Sequence, residues 1–174
     1  MALVIVGCSS VQSPFGRIKK VGKNPVDRGK LGVKRSLLTD KRGVPLGIVI
    51  APANWHDATV FVQTIQSIPI ERPSPSHSNP QHMCLDKGYD ADWIRIALSV
   101  LGFIPHIPQR EYQSRNVQLR KKKHPARRWV VERSHSWLNR YRAILIRWEK
   151  KPKHYRALLH IAAGVICFKR AGIR

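Results

Sequence analysis

Apolar residues open the chain as an unbroken, β-branched run from Ala2 to Gln12, the pattern of a strand buried on both faces. Two more strand-like runs follow, Lys34–Thr39 and Val44–Ala51, joined by Asp40-Lys41-Arg42-Gly43, a turn with glycine last. Between Asn54 and Asp57 the pattern becomes a helix entry. Asp57 reads as its N-cap, and Val60, Phe61, Thr64, Ile65 and Ile68 recur at helical spacing. Met83-Cys84-Leu85-Asp86 is a short apolar strand ending on an acid. Asp90 is the expected cap of the next helix, which carries Trp93, Ile94, Ala97, Leu98 and Leu101 on one side and stops at Gly102. Phe103–Ile107 is a further strand.

The stretch Arg127–Arg142 reads as a helix with a divided surface. Val130, Trp137, Leu138, Tyr141, Ile144, Leu145 and Trp148 fall on one apolar stripe, and Arg128, Glu132, His135 and Asn139 on the opposite, polar face. After Pro152 a last helix runs to about Lys169, apolar at Leu158, Leu159, Ala162, Val165 and Ile166. Three segments interrupt these elements. Residues 13–32 are rich in Pro and Gly with six basic residues between, a loop suited either to phosphate contact or simply to solvent. Residues 69–80, PIERPSPSHSNP, read as a flexible connector inside one domain. Gln109–Pro125 is polar and basic and is expected to be mobile.

Composition sharpens this picture. A chain of 174 residues with 43% hydrophobic content suits a single domain, residues 1–174, with a sizeable core. Lys and Arg number 32 against 10 Asp and Glu, a net charge of +22. Such an imbalance calls for a polyanionic partner, nucleic acid first and an anionic membrane second. The basic residues are spread along the chain, so a folded domain with a basic face is expected rather than a basic tail. Cys8, Cys84 and Cys167 form no CxxC pair, and His77, His82 and Cys84 lack a second ligand pair for zinc. A reducing, cytoplasmic setting fits. Ile5-Val6-Gly7-Cys8 looks like a lipoprotein cleavage box, but no basic start precedes it and its apolar run is short. No apolar run approaches the roughly 20 residues of a membrane span.

The element order is strand, hairpin, helix, strand ending in Asp, helix, strand, helix carrying Glu. That order predicts an α/β, ribonuclease-H-like mixed sheet flanked by helices. In such a fold carboxylates from strand ends and one helix converge on two divalent cations about 4 Å apart. Asp86 and Glu132 are the two obvious acids, and oxygen donors of this kind suit Mg²⁺ or Mn²⁺. Each acid also has a plainer reading: Asp86 as a turn cap, and Glu132 as the partner of Arg128 four residues away.

Three blocks carry a family resemblance: NPVDRGKLGVKRSLLTDKRGVPLGIVIAPANWHDAT, LDKGYD and RRWVVERSHSWLNRYRAILIRWEK. In this order they resemble the DDE transposases of bacterial insertion sequences, nearest to the insertion-sequence-five group, over about Ser9 to Arg170. The resemblance implies Mg²⁺- or Mn²⁺-dependent DNA cleavage and strand transfer. It implies Asp86 as the second catalytic and metal-binding acid, Glu132 as the third, and Arg128 as the usual arginine companion. Asn54 and Asp57 fall in a family block and read as structural or site-supporting. Lys23, Arg28, Lys30, Lys34, Arg127, Arg133 and Arg140 are the candidates for DNA contact. The implied partners are double-stranded DNA (transposon ends and target), a second copy in a synaptic complex, and an upstream transposase half, in the cytoplasm at the nucleoid.

The chain departs from the family pattern in places. The first catalytic acid is expected in an Asp-x-Ser-x-Val pattern on the first strand; Ser9 and Val11 match, but Gly7 holds the Asp position. The family's tyrosine is Pro125 here, and its lysine is Asn139, with Arg140 adjacent. The family's N-terminal segment, which helps bind transposon ends, is also expected to be absent. The expected function is therefore a transposase catalytic domain impaired at Gly7. The alternatives are an inactive DNA-binding remnant or, third, a ribonuclease-H-like nuclease.

One outcome follows from charge alone. Duplex DNA should bind with weak sequence preference, and if about six phosphates are contacted log K should fall against log salt with a slope near −5. Filter binding or fluorescence anisotropy across a salt series measures it; a slope near zero contradicts it.

Overall fold

The computed structural model describes residues 2–16, 18–108 and 127–172. The β-branched run at the start of the chain becomes the centre of the sheet. β1 (Ala2–Gln12) pairs antiparallel with β3 (Leu31–Asp40), from Val4 opposite Asp40 to Gln12 opposite Gly32. On its other side β1 pairs parallel with β5 (Gln81–Cys84), which in turn pairs parallel with β6 (Phe103–His106). β4 (Pro45–Pro52) and the two-residue β2 (Gly22–Lys23) both pair with β3. The result is the expected six-stranded mixed sheet, in the order β2-β3-β1-β5-β6 with β4 also on β3.

Because side chains alternate along a strand, β1 feeds two separate cores. Leu3, Ile5 and Val11 point to a cluster built with α3 (Arg128–Leu138) and α5 (Pro152–Arg170), through Val130, Val131, Tyr155 and Leu159. Val6, with Val4 and Cys8 beside it, joins a second cluster with α1 (Asp57–Gln66) and α2 (Asp92–Val100), through Phe61, Ile65, Ile94 and Leu98. Helices therefore cover both faces of the sheet. This explains why β1 lacks the polar alternation of a half-exposed strand.

Several local expectations change at element ends. His56, not Asp57, caps α1, its Nδ1 accepting from the Ala58 amide at 3.3 Å. Asp57 instead forms an ion pair with Lys34. Ala91 precedes α2 without a side-chain cap, and Asp90 pairs with Arg95 at 2.5 Å. The predicted loop over residues 13–32 contains β2 and the first residues of β3. Gln109–Pro125 lies outside the described residues.

The largest correction is to the long amphipathic helix, which ends at Leu138. Tyr141 is extended, and only the short turn α4 (Arg142–Leu145) follows. Leu145 and Trp148, placed on the apolar stripe, are exposed. Arg147 is fully buried instead, donating to the carbonyls of Lys20, Glu149 and Lys150. A guanidinium with five donors can hold several chain segments at once, and this outweighs helical periodicity here. In α5 the buried set likewise differs: Val165 is partly exposed, while Tyr155 is fully buried and donates to the Ile144 carbonyl at 2.8 Å.

Tyr155→Phe should leave that buried carbonyl short of a partner and lower stability by about 1–2 kcal/mol. Urea unfolding reads this as a lower midpoint at unchanged slope. An unchanged midpoint would mean the hydroxyl contributes nothing to holding α4 on α5.

Candidate carboxylate site

Parallel strands deliver their C-terminal ends to one edge of the sheet, and Asp86 leaves β5 there. Leu85 still donates to the His106 carbonyl at 3.1 Å, after which the chain enters a single 3₁₀ turn, Lys87–Tyr89. Asp86 caps that turn, its Oδ1 accepting from the Gly88 amide. The plainer reading of Asp86 as a cap is thus correct for one oxygen, while Oδ2 faces outward to Arg128 Nη1 at 3.1 Å. Glu132 sits one turn into α3, and its Oε1 lies 2.7 Å from Arg128 Nε. One guanidinium therefore bridges two carboxylates that are 46 positions apart in the chain. The three side chains are 29%, 64% and 57% exposed for Asp86, Arg128 and Glu132, so water screens the pairs and each contributes modestly to stability.

Both acids line a cleft of about 390 Å³ whose floor is β1 from Ile5 to Ser9. Gly7 is part of that floor. A Cβ built on Gly7 would stand 2.5 Å from Cγ1 of Val131, so α3 lies directly on the strand at this point. His135, expected on an exposed polar face, is buried and clamps the same contact. Its Nε2 lies 3.2 Å from the Gly7 carbonyl and its Nδ1 2.9 Å from Ser9 Oγ. A carbonyl only accepts, so Nε2 carries the proton and Nδ1 accepts from Ser9. Ser9 Oγ in turn accepts from Arg35 Nη2 at 3.2 Å, and the same nitrogen donates to Asn139 Oδ1 at 2.6 Å.

This network was missed in the sequence. Ser9 stood out only as a pattern match, and Arg35, now fully buried on β3, carried no signal. Burial, and then the Arg35 charge, hold the His135 pKa down to about 4, against the opposing effect of the Gly7 carbonyl. Burial also pushes the Cys8 thiol up to about 11, so at neutral pH it is a protonated hydrogen-bond partner of Tyr89 and no anionic ligand.

The remaining candidates divide. Asp57 reaches the cleft but is held by Lys34 Nζ, which also donates to the Trp55 carbonyl at 2.5 Å. Lys34 is thereby turned inward. Asn54 packs over Gly22, where an added Cβ would overlap its Oδ1. Arg127 lines the cleft. Arg133 lies between Trp129 and Trp137, 4.8 and 5.0 Å from their rings, and donates to the Arg42 carbonyl. Lys23, Arg28 and Arg140 are exposed, and Lys30 is exposed with Asp27 at 3.7 Å. Pro125 lies outside the described residues.

Asp86 and Glu132 bring carboxylate oxygens to the cleft, the donor type that suits a hard divalent ion. Among the described residues no three or more Asp, Glu, His or Cys side chains cluster to hold a metal; the cleft's third acid, Asp57, is tied to Lys34. No helix among the described residues is long and apolar enough to cross a membrane.

An α/β sheet of this order, with acids at a central strand end and on a facing helix, defines a ribonuclease-H-like architecture. The "Transposase DDE domain" family matches residues 9–167, and the chain belongs to that family. Over 151 residues it is 35% identical to the transposase assigned to insertion sequence element IS402 of Burkholderia cepacia, covering 86% of this chain and 69% of that protein. The resemblance to DDE transposases is thus borne out.

The buried imidazole makes a testable prediction. With a folded pKa near 4 against about 6.5 unfolded, the unfolded chain binds more protons between those values. The contribution of His135 is therefore complete above pH 6.5 and falls away as pH drops toward 4, up to about 3 kcal/mol in all. Unfolding free energies at pH 7 and pH 4.5 should differ less in His135→Gln than in the wild type. Identical pH dependence in both would place the imidazole in solvent.

Proposed function

We propose that this chain is a DNA-binding transposase domain whose strand-cleaving centre is incomplete because position 7 is glycine. The observation that carries the reading is the cleft in which Asp86 and Glu132 face one guanidinium while Gly7, on its floor, contributes no side-chain oxygen. In this reading Asp86 and Glu132 hold Mg²⁺ or Mn²⁺, with Arg128 as their companion. When bound, such ions activate a water or a 3′-hydroxyl and stabilise the leaving oxygen during displacement at phosphorus. Asp86 is oriented for this by its bond to the Gly88 amide, and Glu132 by the seating of α3 on β1. Arg128 neutralises the two acids and exchanges them for a phosphate when DNA arrives.

We place the chain in the insertion-sequence-five group and treat residues 1–174 as one transposase domain. Duplex DNA, at element ends and target, is its partner, and Lys23, Arg28, Lys30, Arg127 and Arg140 present charge to it. Lys34 and Arg133 support the fold around the site, as do Asn54 and Asp57. A second copy in a synaptic complex is the protein partner this reading carries, acting in the cytoplasm at the nucleoid.

A nicking assay in Mg²⁺ on the element's own ends tests it. The unmodified chain should shift the DNA in gels without cutting it at a useful rate. Gly7→Asp should restore Mg²⁺ binding while lowering stability by about 1–3 kcal/mol, since the new side chain must displace Val131. Efficient nicking by the unmodified chain, lost in Asp86→Asn, would show that another acid substitutes at the first position.

A further inference from the structure

A second concave surface lies on the far side of the sheet's centre. β4 pairs only with β3 among the described residues, so its other edge is open, flanked by α1 on one face and α5 on the other. The groove along it measures about 980 Å³ and has Ile48, Val49 and Ile50 at its base. Lys20, Lys151, Lys153 and Arg156 line it, with Gln63 and Gln66 on α1, and no Asp or Glu among its lining residues. Among the described residues none of the four cations makes an ion pair with a carboxylate. Glu149, close in sequence, is turned to His154 at 3.8 Å. β4 lies three strand positions from β5 and its following Asp86, roughly 14 Å by strand spacing, so this groove is separate from the carboxylate cleft.

We propose that this groove is a second nucleic-acid site, which takes a phosphodiester backbone along the β4 edge. Cations around a groove with an apolar base and no lining carboxylate concentrate positive potential inside it. They come from separate places: the segment after β1, the residue before α5, and the first turns of α5. That spread forms a track for repeated charge rather than a pocket for a single anion. The amides of Gln63 and Gln66 add neutral donors for phosphate oxygens. A second copy of this chain is a poor occupant, because each copy carries +22. Lysines beside an open strand can also serve only to prevent edge-to-edge pairing, and an extended acidic peptide could add a strand there. The proposal rests on DNA being the partner of this protein, and its test separates the two claims.

Duplex binding by the full chain is measured over a salt series for three proteins: wild type, a groove variant (Lys151→Ala, Lys153→Ala, Arg156→Ala) and a charge-matched control (Lys41→Ala, Arg142→Ala, Lys169→Ala). The controls lie on exposed surface outside both concave sites. Lys20 stays, because its φ of 66° makes it an unsuitable position to alter. Three lost phosphate contacts should flatten the salt slope by about 2.7 in the groove variant and weaken binding at least tenfold near 0.1 M salt, with much smaller changes in the control. Equal losses in both variants overturn the groove and leave only net charge. An unchanged slope with new self-association overturns it in favour of edge protection. Loss of polyglutamate binding with DNA binding intact overturns it in favour of an acidic protein. A wild type that ignores DNA overturns the proposed function itself, and the groove with it.

Discussion

The close seating of α3 on β1 at Gly7 governs the rest of the site. With hydrogen in place of a side chain, the strand lets Val131 approach to a distance no Cβ tolerates. The imidazole of His135 then reaches the Gly7 carbonyl and Ser9 together. That pair of bonds fixes the rotation of α3, and rotation decides where Glu132 points. If α3 stood farther out or turned by one residue, Glu132 would leave the cleft and Arg128 would no longer span both acids. The same glycine that allows the contact is the residue that withholds the expected first carboxylate. Packing and chemistry thus meet at one position.

Electrostatics around the cleft are arranged in two layers. At the mouth, Arg128 joins two exposed acids through pairs that are easily exchanged. Behind them lies Arg35, fully buried, with no carboxylate partner among the described residues and held by Ser9 and Asn139. Burial, helped by the Arg35 charge, keeps His135 neutral, which in turn preserves the tautomer that clamps β1. Burying an unpaired guanidinium is costly, and its Nε and Nη1 find no partner among the described atoms.

Much of this fold was legible in the sequence because its signals are local. The unalternating apolar run of β1, the glycine turn at Gly43 and the helical spacing of Phe61 and Ile65 each reflect burial that neighbouring residues specify together. Asp86 and Glu132 were legible too, through strand-end placement and three recognisable blocks. What stayed hidden depends on partners distant in the chain. The end of the long helix at Leu138 follows from Asn139 being bound to Arg35 and Arg147 to the Lys20 carbonyl, contacts no window of sequence contains. His135 looked exposed because a histidine next to Arg and Ser on a helix reads as polar surface. Cap residues were misplaced by one position at both α1 and α2, where Asp57 and Asp90 found cationic partners instead.

Metal stoichiometry at the cleft depends on Asp86 and Glu132 acting alone while Lys34 holds Asp57. Titration of the unmodified chain with Mn²⁺, followed by electron paramagnetic resonance, reads that number directly. One weakly held ion per chain, lost in both Asp86→Asn and Glu132→Gln, is the predicted result. Two tightly held, magnetically coupled ions in the unmodified chain would contradict it and would mean that a further acid such as Asp57 serves the site.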